Sequence, residues 1–115
     1  MAQIYHNPRW GKSRQTLDVL QKSGIEPEII KYLETPPTSK ELESILKKMG
    51  RKPVEVIRFK EAIAKEMALK ADDNRSDDEW IKLMVQYPKI IERPIVVNGD
   101  KAIMGRPPDG VLSIF

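Results

Sequence analysis

The sequence predicts an α/β domain: a four-stranded mixed sheet whose βαβ half and ββα half are separated by a helical segment. Three observations predict it. A short apolar run at residues 2–5 turns sharply into an amphipathic stretch, and a second apolar run follows near residue 30. Between Thr38 and Pro88 the apolar residues recur at helical rather than alternating spacing. Two apolar runs near the end flank Asn98-Gly99, a strong short hairpin signal. Strand, helix and strand in succession read as two parallel strands joined by a crossover, and a terminal hairpin adds an antiparallel pair.

Taken in order, Ala2-Gln3-Ile4-Tyr5 is the first strand. His6-Asn7-Pro8-Arg9-Trp10-Gly11-Lys12 is a tight loop, because Asn-Pro and the following Gly resist continued regular structure. A helix begins at about Ser13, with Leu17, Val19 and Leu20 near the face that packs on the sheet, and Gly24 stops it. The second strand falls within residues 25–33, carried by Ile29, Ile30, Tyr32 and Leu33, and Thr35-Pro36-Pro37 breaks the chain. Thr38 and Glu41 form a capping box ahead of Leu42, Ile45, Leu46 and Met49, and Gly50 ends that helix. Pro53 opens a short helix through Val54 and Ile57, and residues 61–69 read as another with Ile63 and Met67 inward. After the polar loop Asp72-Asp73-Asn74-Arg75, Ser76 and Glu79 form a second capping box before Trp80, Ile81, Met84 and Val85, and Pro88 stops the helix. Residues 93–104 form the hairpin, and Pro107-Pro108 begins a final helix carrying Val111, Leu112, Ile114 and Phe115. No repeat, linker or low-complexity segment interrupts the chain, and 115 residues suit one domain, 1–115.

Composition narrows the function. Hydrophobic residues make up 40% and charged residues 32%, the balance of a folded globule rather than a disordered chain. No apolar run approaches the roughly 20 residues that cross a bilayer, and no secretory leader opens the chain, so the expected location is cytoplasmic. The net charge of +3 permits anion binding without demanding nucleic acid, and with only 6% aromatic residues a base-stacking platform is not expected. There is no cysteine, which excludes disulfides, thiolate metal ligands and thiol catalysis. The single histidine argues against a histidine-based metal site.

The first loop carries the chemistry. A strand that turns sharply into a helix aims the helix's unpaired N–H groups at one spot, where the dipole also favours negative charge. His6, Arg9, Lys12, Ser13 and Arg14 add donors within the same dozen residues, so an oxyanion site at the mouth of the loop is expected. Each residue also has a plainer reading. His6 could cap the strand end through a backbone carbonyl, Ser13 could be the helix N-cap, and Arg9, Lys12 and Arg14 could be solvated charge. By their local sequence alone, Arg58 would be a solvated helix residue, and Arg93 and Arg106 exposed boundary residues before proline. Trp80 and the methionines read as core.

Tyr5-His6-Asn7-Pro8-Arg9-Trp10-Gly11-Lys12-Ser13-Arg14 resembles the signature loop of the glutaredoxin-coupled arsenate reductase family, ArsC. The resemblance extends over nearly the whole chain: Tyr32-Leu33-Glu34-Thr35-Pro36-Pro37-Thr38 is similar to the family's second-strand exit, Glu92-Arg93-Pro94-Ile95-Val96-Val97 to its third strand, and Gly105-Arg106-Pro107-Pro108 to its final turn. Lys12-Ser13-Arg14 and Asn98-Gly99 are closest to its YfgD-like branch. The resemblance implies a thioredoxin-like (glutaredoxin-like) fold with the helical segment as an insertion. It also implies that Arg58, Arg93 and Arg106 bind the oxyanion, that His6 and Ser13 assist the nucleophile, and that Arg93–Pro94 is cis. Arginine suits the task, because its planar fork pairs two oxygens at once and stays charged.

The family's nucleophile is a cysteine at the position that Trp10 holds here. In the implied reaction its thiolate attacks arsenate and displaces water. Glutathione attacks the adduct, glutaredoxin removes the glutathione, and arsenite leaves. Every step passes through that sulfur, so the resemblance implies an arsenate reductase scaffold, without a bound cofactor or metal, that is inactive as written through an engineered or natural Cys-to-Trp replacement. Glutathione and glutaredoxin are the implied co-substrate and partner, and arsenate or a similar oxyanion the ligand. The alternatives are a non-catalytic oxyanion-binding protein and a protein-binding module like the Spx regulators. The latter usually carry Cys-x-x-Cys and lack His-Asn-Pro, so this sequence leans away from them.

Overall fold

The computed structural model describes residues 2–115. The chain divides into two compact units. One holds the residues up to Thr35 together with Arg93–Phe115, and the other is Pro36–Glu92, inserted between them in sequence.

The first unit contains the sheet. β1 (Ala2–Tyr5), α1 (Gly11–Lys22) and β2 (Glu28–Ile30) form the parallel βαβ half, and β3 (Ile95–Asn98) and β4 (Lys101–Met104) form the hairpin. The strand order is β2-β1-β3-β4, parallel between β1 and β2 and antiparallel elsewhere. This is the expected mixed four-stranded sheet, and the fold is thioredoxin-like. Ile4, Ile95, Val96 and Val97, on the two central strands β1 and β3, are all buried. Ile4, Leu20, Val96 and Val111 make the core, with Leu17, Val19, Ile25, Ile103 and Ile114 packed against it. α1 therefore presents the expected face, and Val111 reaches that core from the C-terminal segment, where residues Pro108–Ile114 form a 3-10 helix instead of the expected α-helix.

Other boundaries differ from the sequence reading for local reasons. α1 starts at Gly11 rather than near Ser13, because Trp10, in an extended conformation, is already the N-cap. β2 closes at Ile30, and a turn follows in which the amides of Glu34 and Thr35 both donate to the Lys31 carbonyl. Tyr32 is buried there, whereas Leu33 is exposed. In the hairpin, Asn98 pairs with Lys101, so the two-residue turn is Gly99-Asp100 rather than Asn98-Gly99. Gly99, at φ 62°, supplies the positive angle that the first turn position of a type II′ hairpin requires.

The second unit is helical. α2 (Ser39–Met49) and α4 (Asp77–Gln86) both open with the expected capping boxes, Thr38 with Glu41 and Ser76 with Glu79. Between them lie a 3-10 turn at Pro53–Val56 and the short α3 (Ala62–Glu66), in which Ala64 is the buried residue while Ile63 and Met67 are only half-buried. Five residues give α3 too little length for a full inward stripe. Leu42, Ile45, Leu46, Trp80, Ile81 and Met84 form the buried faces of the longer helices, as their spacing predicted. Trp80 meets Phe59 edge to face at 5.9 Å.

Candidate functional site

The loop between β1 and α1 is held by its own polar groups. Asn7 directs it: its amide donates to Ser13 Oγ at 3.0 Å, its side-chain carbonyl accepts the Arg9 amide at 3.1 Å, and its backbone carbonyl accepts the Trp10 amide at 3.1 Å. Arg14 Nη1 ties the loop down further by donating to the Pro8 carbonyl at 2.9 Å. Sequence reading noted Asn-Pro only as punctuation. The signal that marks Asn7 as the organiser is a short polar side chain that bonds its own backbone two residues on.

Ser13 is fully buried at the third position of α1, so it is not the N-cap. Its Oγ lies 2.6 Å from His6 Nδ1. His6 is itself buried, and its side chain spends Nδ1 on Ser13 rather than on a backbone carbonyl. The histidine pKa is lowered, first by burial and then by the nearby Lys31 and Arg14 cations, so the neutral ring is favoured. Ser13 Oγ accepts the Asn7 amide and also bonds His6 Nδ1, and the tautomer of the ring sets which of the two donates in that second bond.

Trp10 caps the start of α1 without a side-chain capping bond, and the first turn of α1 holds no acidic residue. Its ring covers Arg93: the guanidinium carbon sits 3.7 Å from the ring centroid, a cation–π stack. Arg93 is buried, not exposed, and precedes Pro94 in the expected cis bond; Arg106–Pro107 is a second cis bond that the sequence reading did not foresee.

The structure thus brings His6, Ser13, Trp10 and Arg93 to one end of α1 in the sheet-bearing unit. Arg106 follows β4 with an exposed side chain. Arg58 belongs to the other unit. It lies not in a helix but after Ile57, which bridges Ile91, and its amide donates to the Ile90 carbonyl at 2.7 Å. Its guanidinium is mostly buried and pairs with Glu61 at 3.4 Å. Among the described residues, no group of histidine or acidic side chains is placed to hold a metal ion.

Comparison with known proteins identifies the scaffold. The ArsC family pattern matches residues 5–114. The chain belongs to the ArsC family. It is 49% identical to a protein of Escherichia coli K12 named YfgD and described as uncharacterized, over 98% of this chain and 95% of that one. It is 46% identical to an arsenate reductase of Haemophilus influenzae, over 97% of both chains. A solved arsenate reductase from Vibrio cholerae superposes with a TM-score of 0.93 at 45% identity, covering 99% of this chain and 97% of that one. This ArsC chain has no cysteine anywhere in its sequence.

Proposed function

We propose that this ArsC protein keeps the oxyanion-binding architecture of arsenate reductases but does not itself reduce arsenate. The observation that carries the reading is Trp10 at the N-cap of α1, stacked on Arg93. An indole is no substitute for a thiolate. Its nitrogen lone pair belongs to the ring π system, so Trp10 forms no bond to arsenic, and no other thiol exists in the chain. In this reading the start of α1 and the paired His6 and Ser13 are the groups that would serve a nucleophile at residue 10. The buried Arg93, with Arg106 of the same unit, supplies positive charge for the anion.

Glutathione and glutaredoxin are the reductants this reading assigns to the ancestral activity, in the reducing cytoplasm. The family pattern runs through both compact units, which supports their acting together as one ArsC domain.

The test is a Trp10→Cys variant assayed with arsenate, glutathione and glutaredoxin. The variant is expected to produce arsenite and the chain as written none. Arsenite formation by thiol-free protein would overturn the assignment of residue 10. A second reading, oxyanion binding without chemistry, is favoured by the buried Arg93 guanidinium. Calorimetry with phosphate, sulfate and arsenate checks it: binding is expected, and Arg93→Ala should abolish it.

A further inference from the structure

β2 is an open edge of the sheet. It pairs with β1, and no other strand lies beside it among the described residues. In such a pair, alternate residues of a strand turn their backbone groups toward the neighbour. The His6 amide donates to the Ile30 carbonyl at 2.8 Å, so Glu28 and Ile30 face β1. Ile29 therefore turns both its N–H and its C=O outward, and by the same alternation Pro27 and Lys31 do as well. The ring nitrogen of Pro27 carries no hydrogen. The Lys31 carbonyl already accepts the amides of Glu34 and Thr35, each at 2.9 Å. The edge thus offers two donors, the Ile29 and Lys31 amides, and two acceptors, the Pro27 and Ile29 carbonyls.

We propose that this edge is a self-association surface, on which a second copy of the chain pairs β2 against β2, antiparallel, about a two-fold axis at Ile29. Three observations support that occupant. First, the row of backbone groups complements itself. With Ile29 opposite Ile29 of the second copy, the two residues exchange both N–H···O bonds. Two residues along, the Lys31 amide of each copy meets the Pro27 carbonyl of the other. The donor that Pro27 lacks falls opposite the Lys31 carbonyl that the turn already engages, so this register leaves no outward group over. Second, the edge is complementary to itself in charge. It begins with Glu26 and Glu28 and ends with Lys31, all exposed. An antiparallel copy sets the basic end of one strand beside the acidic end of the other, whereas a parallel copy would set like beside like. Third, the centre of the edge is apolar and uncovered. Ile29 is 45% exposed although Ile4, its partner in register on β1, is fully buried. Opposite its own copy, Ile29 gains an apolar cross-strand contact. The pairing is closed and isologous, and it joins two four-stranded sheets into one. It rests on the strand edge alone and not on the proposed anion site.

Contact along residues 27–31 is short, so the association is weak and depends on concentration. Sedimentation velocity and amide hydrogen exchange are measured on the full-length chain from about 10 μM to about 1 mM, the span of a small transient contact. A monomer–dimer equilibrium is expected, in which the Ile29 and Lys31 amides exchange more slowly as concentration rises. Ile29→Lys and Ile29→Glu each set like charges opposite one another on the two-fold axis. Each should weaken association about fivefold. Mixing the two variants sets opposite charges together and should restore association, which a misfolded variant could not do. The proposal is overturned by a chain that stays monomeric at the highest concentration, and the edge would then be left to an extended segment of a different protein. It is also overturned by dimers whose Ile29 amide exchanges as fast as in the monomer, or by dimers that Ile29→Lys leaves unchanged, because the contact then lies elsewhere on the chain.

Discussion

His6 couples the loop to pH. Its folded pKa lies below the ordinary value of 6.5, chiefly because burial disfavours the charged ring. The unfolded chain therefore takes up a proton as pH falls through 6.5, while the folded chain resists until its lower pKa is reached. Stability is fully present above 6.5 and declines as pH falls through the window between the two values. Denaturant unfolding between neutrality and pH 5 should show this slope in the parent, and His6→Asn, which keeps a hydrogen-bonding side chain for Ser13, should flatten it. At Gly105 the constraint is steric. An added Cβ would lie 2.5 Å from Thr16 Oγ1 and 2.6 Å from Pro94 Cγ, and Thr16 is held by its bond to the Lys12 carbonyl. Gly105→Ala should cost about 1–3 kcal/mol, as overpacking does, read as a lower denaturant midpoint. It should also disturb the Pro94 loop that follows Arg93.

The three longer helices begin differently, and the difference bears on function. α2 and α4 are closed by reciprocal capping boxes at Thr38 with Glu41 and Ser76 with Glu79. Their first-turn N–H groups are accordingly supplied with oxygen acceptors from the chain itself. Thr38→Ala and Ser76→Ala should each lower unfolding free energy by about 1 kcal/mol, measured by thermal or denaturant melts. Glu79 is held below its ordinary pKa of 4.5, first by the Ser76 backbone N–H, so its share of the cap is present above 4.5 and fades as the pH falls below it. α1 has no such cap: Trp10 provides no side-chain acceptor, and no carboxylate sits in the first turn. A helix start supplied in this way is compatible with an external anion, whereas a capping box would compete with one.

Across the whole molecule, the sheet sets the order of stability. β1 and β3 are flanked by strands on both sides, whereas β2 has only three residues and β4 one neighbour. Native-state hydrogen exchange should find the slowest amides in β1 and β3 and faster exchange in β2, because local opening of an edge exposes less core. The loop that carries His6 and Trp10 leaves the end of β1, and Arg93 stands two residues before β3. The central strands therefore fix both halves of the Trp10–Arg93 stack. Equal protection of all four strands would show that the site is anchored by something other than this central pair.

Local signals determined much of this protein. The capping boxes, the apolar spacing of α1, α2 and α4, the first strand and the hairpin depend on residues a few positions apart, and such short-range preferences are written directly into the chain. The absence of cysteine, and with it of thiol chemistry, is likewise a property of composition. Tertiary structure decided what the loop residues touch. Ser13, which local sequence left open between a helix cap and a site residue, is a buried partner of His6; Arg93, exposed by its local sequence alone, lies under an indole 83 positions away in the chain. Even the turn of the hairpin moved one residue, because strand pairing, not the Asn-Gly dipeptide, fixed the register. Burial and long-range contact arise only when separate segments meet, so the partners of a side chain, and the pKa shift of His6 that follows from them, are settled by the fold.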